Sequence, residues 1–129
     1  MKKKHLLVVD DEKSLRAVLE DFLGRRGYRV TAVETASQGI ALLNEEPVDL
    51  AIVDLVLPSI DGLELLEIIR TEHPRLPVIV FTGVGYDEEI LQEARKKGAS
   101  SFVTKGLPMA NLLMEIHRLL NYRGSVDRP

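Results

Sequence analysis

The stretch LLVVDDEKSLRAVLEDFLGRRGYRVTAV, residues 6–33, sets the pattern of the chain. Leu6, Leu7, Val8 and Val9 form a continuous apolar run, which Asp10, Asp11 and Glu12 cut off. A short apolar run bounded by charge reads as a buried strand. Residues 14–26 place Leu15, Val18, Leu19, Phe22 and Leu23 on one stripe at helical spacing. Gly27 stands where a glycine ends such a helix. Residues 28–33 alternate and are rich in β-formers, so a second strand follows.

The same alternation continues outward. Residues 36–44 read as a helix with Ile40, Leu42 and Leu43 apolar and Pro47 beyond its end. Residues 50–53 read as a third strand, and residues 62–72 as a helix carrying Leu63, Leu65, Leu66, Ile68 and Ile69. Pro74 and Pro77 bracket the next turn. Residues 78–81 are an all-apolar fourth strand. Residues 87–97 are helical, with basic residues in the last turn, as the helix dipole favours, and Gly98 after it. Residues 101–104 form a short fifth strand, and residues 108–122 a last helix with Pro108 in its first turn.

Continuous apolar strands separated by helices imply an α/β fold with a parallel sheet covered on both faces. Right-handed crossovers leave few topologies for five such units. The favoured one is a (βα)5, doubly wound, flavodoxin-like sheet of order 2-1-3-4-5, whose ligand site lies outside the C-terminal strand ends. A closed barrel would need eight units.

At 129 residues the chain reads as one domain. Its core spans residues 4–122, with 123–129 a tail or the start of a linker. There are no repeats, no low-complexity tract and no cysteines. The last point excludes disulfides, thiolate metal sites and thiol nucleophiles. With 17 basic and 20 acidic residues, the net charge of −3 argues against direct nucleic-acid binding. The lysines at 2–4 precede too short an apolar run for a signal peptide or a membrane span. A cytoplasmic setting is expected.

The strand ends carry the chemistry. Strand 1 ends in Asp10-Asp11, strand 3 in Asp54, strand 4 in Thr82-Gly83 and strand 5 in Thr104-Lys105. Strands 1 and 3 are neighbours about 5 Å apart in the favoured order, so three carboxylates crowd one site. A hard divalent cation relieves their repulsion, and few carboxylates with room for water suit Mg²⁺. Lys105 lies two strand spacings, roughly 10 Å, from Asp54, and its extended side chain closes most of that gap. Thr82 stands between them. A carboxylate with a metal on one side and an ammonium plus a hydroxyl on the other suits receipt of a phosphoryl group. Singly, Asp10 and Asp11 would pass for helix N-caps, Asp54 for a loop residue before Pro58, Lys105 for a surface lysine and Thr82 for a solvated strand end. Four strand ends with matching chemistry argue for a site. His5, His73 and His117 read as surface or packing residues. Gly83-Val84-Gly85 lacks the third glycine and the position of a dinucleotide fingerprint.

From Lys4 to about Tyr122 the chain resembles the receiver domains of two-component response regulators, with their chemotaxis-regulator-like fold. The resemblance rests on VVDDE at 8–12, DLVLPSIDG at 54–62, FTG at 81–83 and FVTK at 102–105. It implies that Asp54 is the phospho-acceptor. Asp10, Asp11, Asp54 and the backbone carbonyl of Val56 would hold Mg²⁺. Lys105 would pair with a phosphate oxygen, Thr82 would move to bond the phosphate, and Phe102 would swing inward, with residues 83–86 part of the moving element. The implied donor is a phosphohistidine on a sensor histidine kinase or phosphotransfer protein. It would dock at the first helix, with Val18 the candidate contact, and at the turn after strand 5.

Two features depart from the family pattern. Gly106 replaces a proline that normally follows a cis bond, and a cis bond before glycine costs ~3 kcal/mol more than trans. Val56 and Val84 stand where polar residues often act on the attacking water, so a longer-lived phosphoform is expected. Two rival functions remain. An aspartate-nucleophile phosphatase would need a second Asp at position 56 as general acid, where Val56 stands. A degenerate receiver used as a protein-binding scaffold would not need the full set Asp10, Asp11, Asp54, Thr82 and Lys105. The domain itself is expected to be a switch, acting only on its own phosphorylation.

Overall fold

A computed structural model describes residues 3–57, 60–83 and 88–126, with side chains to Asn121. Its elements run β1 (His5–Val9), α1 (Lys13–Gly24), β2 (Arg29–Val33), α2 (Ala36–Glu45), β3 (Leu50–Val53), α3 (Gly62–Glu72), β4 (Val78–Thr82), α4 (Glu88–Lys96), β5 (Ser101–Thr104) and α5 (Met109–Val126). The five strands form one parallel sheet in the order β2-β1-β3-β4-β5, as the apolar runs predict.

Strand side chains alternate between two cores. Leu7, Val9, Ala51, Val53, Val78 and Val80 face one side, where α2, α3 and α4 contribute Leu43, Leu65, Leu66, Ile69 and Ala94. Leu6, Val8, Leu50, Ile52, Ile79, Phe81 and Val103 face the other, against Leu19 and Leu23 of α1 and Leu112, Ile116 and Leu119 of α5. Each fully buried Leu or Ile contributes roughly 1.5–3 kcal/mol, so two such layers hold the sheet rigid beneath its loops.

Local signals explain the boundaries. Helix α1 closes through Gly27 at φ 94°, with Tyr28 N donating to Leu23 O at 3.2 Å. A glycine adopts that left-handed conformation without a Cβ penalty. Helix α2 opens on a capping box: Thr35 Oγ1 accepts from Gln38 N, and Gln38 Oε1 accepts from Thr35 N. Asp61 Oδ1 caps α3 through Leu63 N at 2.7 Å.

Three expectations are adjusted. Helix α1 ends at Gly24, not at residue 26, because Arg25 and Arg26 lie in the tightening turn that leads to Gly27. Strand β4 takes in Thr82, which pairs with Thr104. Helix α5 runs past Tyr122 to Val126, so part of the supposed tail is helical. A formed helix gains one hydrogen bond per added residue, and the glycine at 124 opposes this by only about 1 kcal/mol. The first residue expected for α4, Asp87, lies outside the described residues, as do Pro58, Val84 and the GxG fragment beyond Gly83.

Candidate phosphoryl-accepting site

The sheet's own hydrogen bonds carry the site residues to one rim. Asp10 N donates to Val33 O, and Asp54 N to Val9 O, both at 3.1 Å, so each aspartate continues its strand by one residue. Lys105 N donates to Thr82 O at 2.7 Å and so follows β5 in the same way. All the expected strand-end residues therefore meet.

Asp54 is nearly fully buried. Its Oδ1 accepts from Val56 N at 3.1 Å and from the Thr82 hydroxyl at 3.2 Å. Its Oδ2 accepts from Lys105 Nζ at 2.8 Å. The lysine thus closes the whole gap between two strand spacings, and Thr82 already touches the acceptor. Lys105 Nζ also lies 2.8 Å from Asp10 Oδ2 and 3.8 Å from Glu12 Oε1.

Asp10 is buried, whereas Asp11 is exposed at the rim. Neither caps α1. The N-cap is Glu12, without a side-chain cap bond, while Asp10 Oδ1 accepts from Glu12 N at 2.9 Å. The mere-cap reading of this pair therefore fails. Asp10, Asp11 and Asp54 each offer a carboxylate oxygen, and these atoms lie within 4.8 Å of one another. This all-oxygen donor set, partly open to water, fits Mg²⁺.

Burial, the largest influence, holds the Asp10 carboxyl above its ordinary value, against the bonds from Lys105 and Glu12 N. For Lys105, burial opposes the charge, but the bonds to Asp10 and Asp54 outweigh it, and the ammonium is held above its ordinary value. The directions are compatible. The lysine gains two anions, while the deeply buried aspartate loses more hydration than one ammonium returns.

Three supporting residues were not singled out in the sequence. Arg16 donates from NH1 to Asp10 O at 2.8 Å and pins the β1–α1 turn. Glu12 completes the acidic surround of Lys105. Gly62 opens α3 so close to β3 that a Cβ would stand 2.5 Å from Leu55 Cα and 2.7 Å from Asp54 O. Its signal was a glycine at a helix's first position, where an ordinary helix former would serve better.

The turn after Lys105 resolves without a cis bond. No cis peptide occurs among the described residues, and Gly106 takes φ 97°. Val18 on α1 is 48% exposed and so is not core; beyond the ends of β3 and β5, Val56 is 60% and Leu107 50% exposed. The histidines lie elsewhere. His5 is buried, with Nδ1 2.9 Å from Pro47 O and Nε2 2.8 Å from Thr31 Oγ1. His117 packs its ring against Tyr28 at 6.1 Å. His73 caps the C-terminus of α3. No helix among the described residues is long and apolar enough to cross a membrane.

The family model described as response regulator receiver domain matches residues 6–117. The DNA-binding transcriptional regulator NtrC of Proteus hauseri is 34% identical over 129 residues, covering 100% of this chain and 27% of the relative. The regulatory protein VirG of Rhizobium rhizogenes is 34% identical, covering 97% of this chain and 52% of the relative. The chain thus spans about half or less of the length of these relatives. A CheY-like receiver domain protein from Methanospirillum hungatei JF-1 superposes with a TM-score of 0.91 at 29% identity, covering 96% of this chain and 98% of that one. NtrX from Brucella abortus superposes at 0.87 with 30% identity, covering 94% of this chain and 28% of that one. With its five-stranded order, its rim of aspartates and this match over most of its length, the chain belongs to the response regulator receiver domain family.

Proposed function

We propose that Asp54 accepts a phosphoryl group from a phosphohistidine of a sensor histidine kinase or phosphotransfer protein. The observation that carries this reading is the pair of donors on one buried carboxylate: Lys105 Nζ at 2.8 Å on Oδ2 and Thr82 Oγ1 at 3.2 Å on Oδ1. An Asp54 oxygen attacks phosphorus in line. The new O–P bond forms as the P–N bond breaks, and the electron pair returns to the donor's imidazole nitrogen.

Asp10, Asp11, Asp54 and the Val56 carbonyl would hold Mg²⁺, which when bound neutralises phosphoryl oxygens. Lys105 then turns its ammonium from Asp54 to a phosphoryl oxygen, and Thr82 donates its hydroxyl to another. This side-chain exchange is a contact that the product makes and the free carboxylate does not, so it shifts the conformational equilibrium. Phe102 follows Thr82 and changes the surface around β5 for a downstream protein. The exposed Val18 and Leu107 offer the donor protein an apolar rim.

The test is mass spectrometry after incubation with acetyl phosphate and Mg²⁺. One phosphoryl adduct is expected, absent from Asp54→Ala and lost without Mg²⁺. An equal adduct in that variant would remove Asp54 from the role.

A further inference from the structure

Phe102 lies half-buried on β5, the edge strand, and packs with Ile90 of α4 against one core. The guanidinium carbon of Arg95 stands 5.1 Å from the centroid of its ring. That is within cation–π range. Arg95 is exposed on the last turn of α4, and among the described residues no carboxylate pairs with it. Lys97, just beyond the same helix, behaves differently: its Nζ is ion-paired with Glu67 of α3 at 2.9 Å.

The helix around Arg95 is lightly anchored. Ala94 is its one buried side chain among the described residues, and its first turn carries Glu88 and Glu89. An element with so little apolar burial moves more readily than the rest of the fold. A contact from this helix to the ring of β5 therefore adds to the shared packing of Ile90 and Phe102 in tying the two parts together.

We propose that Arg95 is a positioning residue for the phospho-switch: its guanidinium holds the Phe102 ring in the orientation of the unliganded chain, so the ring leaves only as α4 gives way. The proposal rests on the reading of Phe102 as the switch residue. Arg95 makes a contact in one state and loses it in the other, which is the condition for biasing a two-state equilibrium. Exposed cation–π contacts correspond to a shift of about 2- to 5-fold. The competing role for Arg95 is plain complementation of the α4 C-terminus, which needs no ring at position 102.

The experiment is a beryllofluoride titration at saturating Mg²⁺, followed by NMR of the Phe102 ring and the α4 amides. It uses the wild type, Arg95→Gln, Arg95→Lys, Phe102→Leu and the Arg95→Gln/Phe102→Leu double variant. Arg95 is exposed, so these changes at 95 keep the fold. Arg95→Gln is expected to reach its midpoint at ~2- to 5-fold lower beryllofluoride. Arg95→Lys, which keeps the charge without the planar face, should fall between. In the Phe102→Leu background, Arg95→Gln should change nothing. An unchanged midpoint in Arg95→Gln, or the same shift with and without Phe102, would overturn the proposal. Failure of the switch reading itself is seen separately: the wild-type Phe102 ring would not respond at saturation, and both readings would fall.

Discussion

Lys105 Nζ stands 2.8 Å from Asp10 Oδ2. At the same 2.8 Å it meets Asp54 Oδ2, so one ammonium bridges the ends of β1 and β3. In the metal-free chain this lysine is the cation that holds the acidic rim together. Lys105→Met leaves the two buried carboxylates of Asp10 and Asp54 without their cation, at an expected loss of about 3–5 kcal/mol. Thermal unfolding with and without Mg²⁺ checks the idea. The variant should gain more from Mg²⁺ than the wild type does, because the ion no longer competes with an ammonium. Equal gains would show that the lysine and the metal do not share ligands.

Asp10→Asn is expected to raise the Tm at neutral pH without Mg²⁺. Burial, above all, lifts the Asp10 carboxyl above its ordinary 3.8. The folded chain therefore holds that proton more tightly than the unfolded one. The stability this contributes is complete below pH 3.8 and is lost as pH rises through the folded value. At pH 7 the ionised group is a net cost that a neutral isostere removes. The same variant should lose the Mg²⁺-dependent gain in Tm. A lower Tm in Asp10→Asn would show that the ion pair outweighs burial.

Glu115 carries the opposite sign. Its hydrogen bonds from Arg118, first, and Ser101 hold its carboxyl below the ordinary 4.5, against burial. Its contribution is present above pH 4.5 and lost as pH falls through the folded value. Urea midpoints measured across that window should fall less steeply in Glu115→Gln. Arg118 is exposed and Glu115 only partly buried, so solvent screens the pair and the difference should stay below about 1 kcal/mol.

Gly62→Ala should destabilise the fold by about 1–3 kcal/mol, because backbone atoms of Leu55 and Asp54 cannot retreat from the new methyl. Gly83→Ala is the control: among the described residues a Cβ there meets nothing within 4 Å. Denaturant midpoints of the two should separate clearly, and similar losses would show that the contact at Gly62 relaxes freely.

Val56 sits two residues beyond Asp54 and is 60% exposed, with its N–H on Asp54 Oδ1. An apolar branched side chain there neither orients water nor accepts its proton. Val56→Asn should therefore speed the loss of phosphate from Asp54, followed as decay of the labelled protein after donor removal at fixed Mg²⁺. Unchanged decay would place control of the water elsewhere.

The sheet order and the acid set were legible in the sequence because both follow from local pattern. Five apolar runs separated by helical stripes admit few topologies, and parallel topology brings every strand's C-terminus to one rim. Asp10, Asp11, Asp54, Thr82 and Lys105 could therefore be gathered from strand ends alone. The β5–α5 turn was less legible. The proline expected after Lys105 is absent, and the fold instead uses the left-handed conformation of Gly106 at φ 97°.

What only the tertiary structure decided were contacts between residues on different elements, unmarked by any period. Val18 shares the helical stripe of Leu19 and Leu23, yet it lies outside the core because the sheet covers a narrower arc than the stripe spans. Gly62 must be glycine because α3 enters against the backbone of β3, a closeness that no local propensity encodes. Arg16 reaches the carbonyl of Asp10, and Arg95 reaches Phe102, only after the helices have docked. Periodicity records which face of an element is buried. The distance between two elements, and hence which polar side chain meets which partner, is fixed only by how their side chains pack.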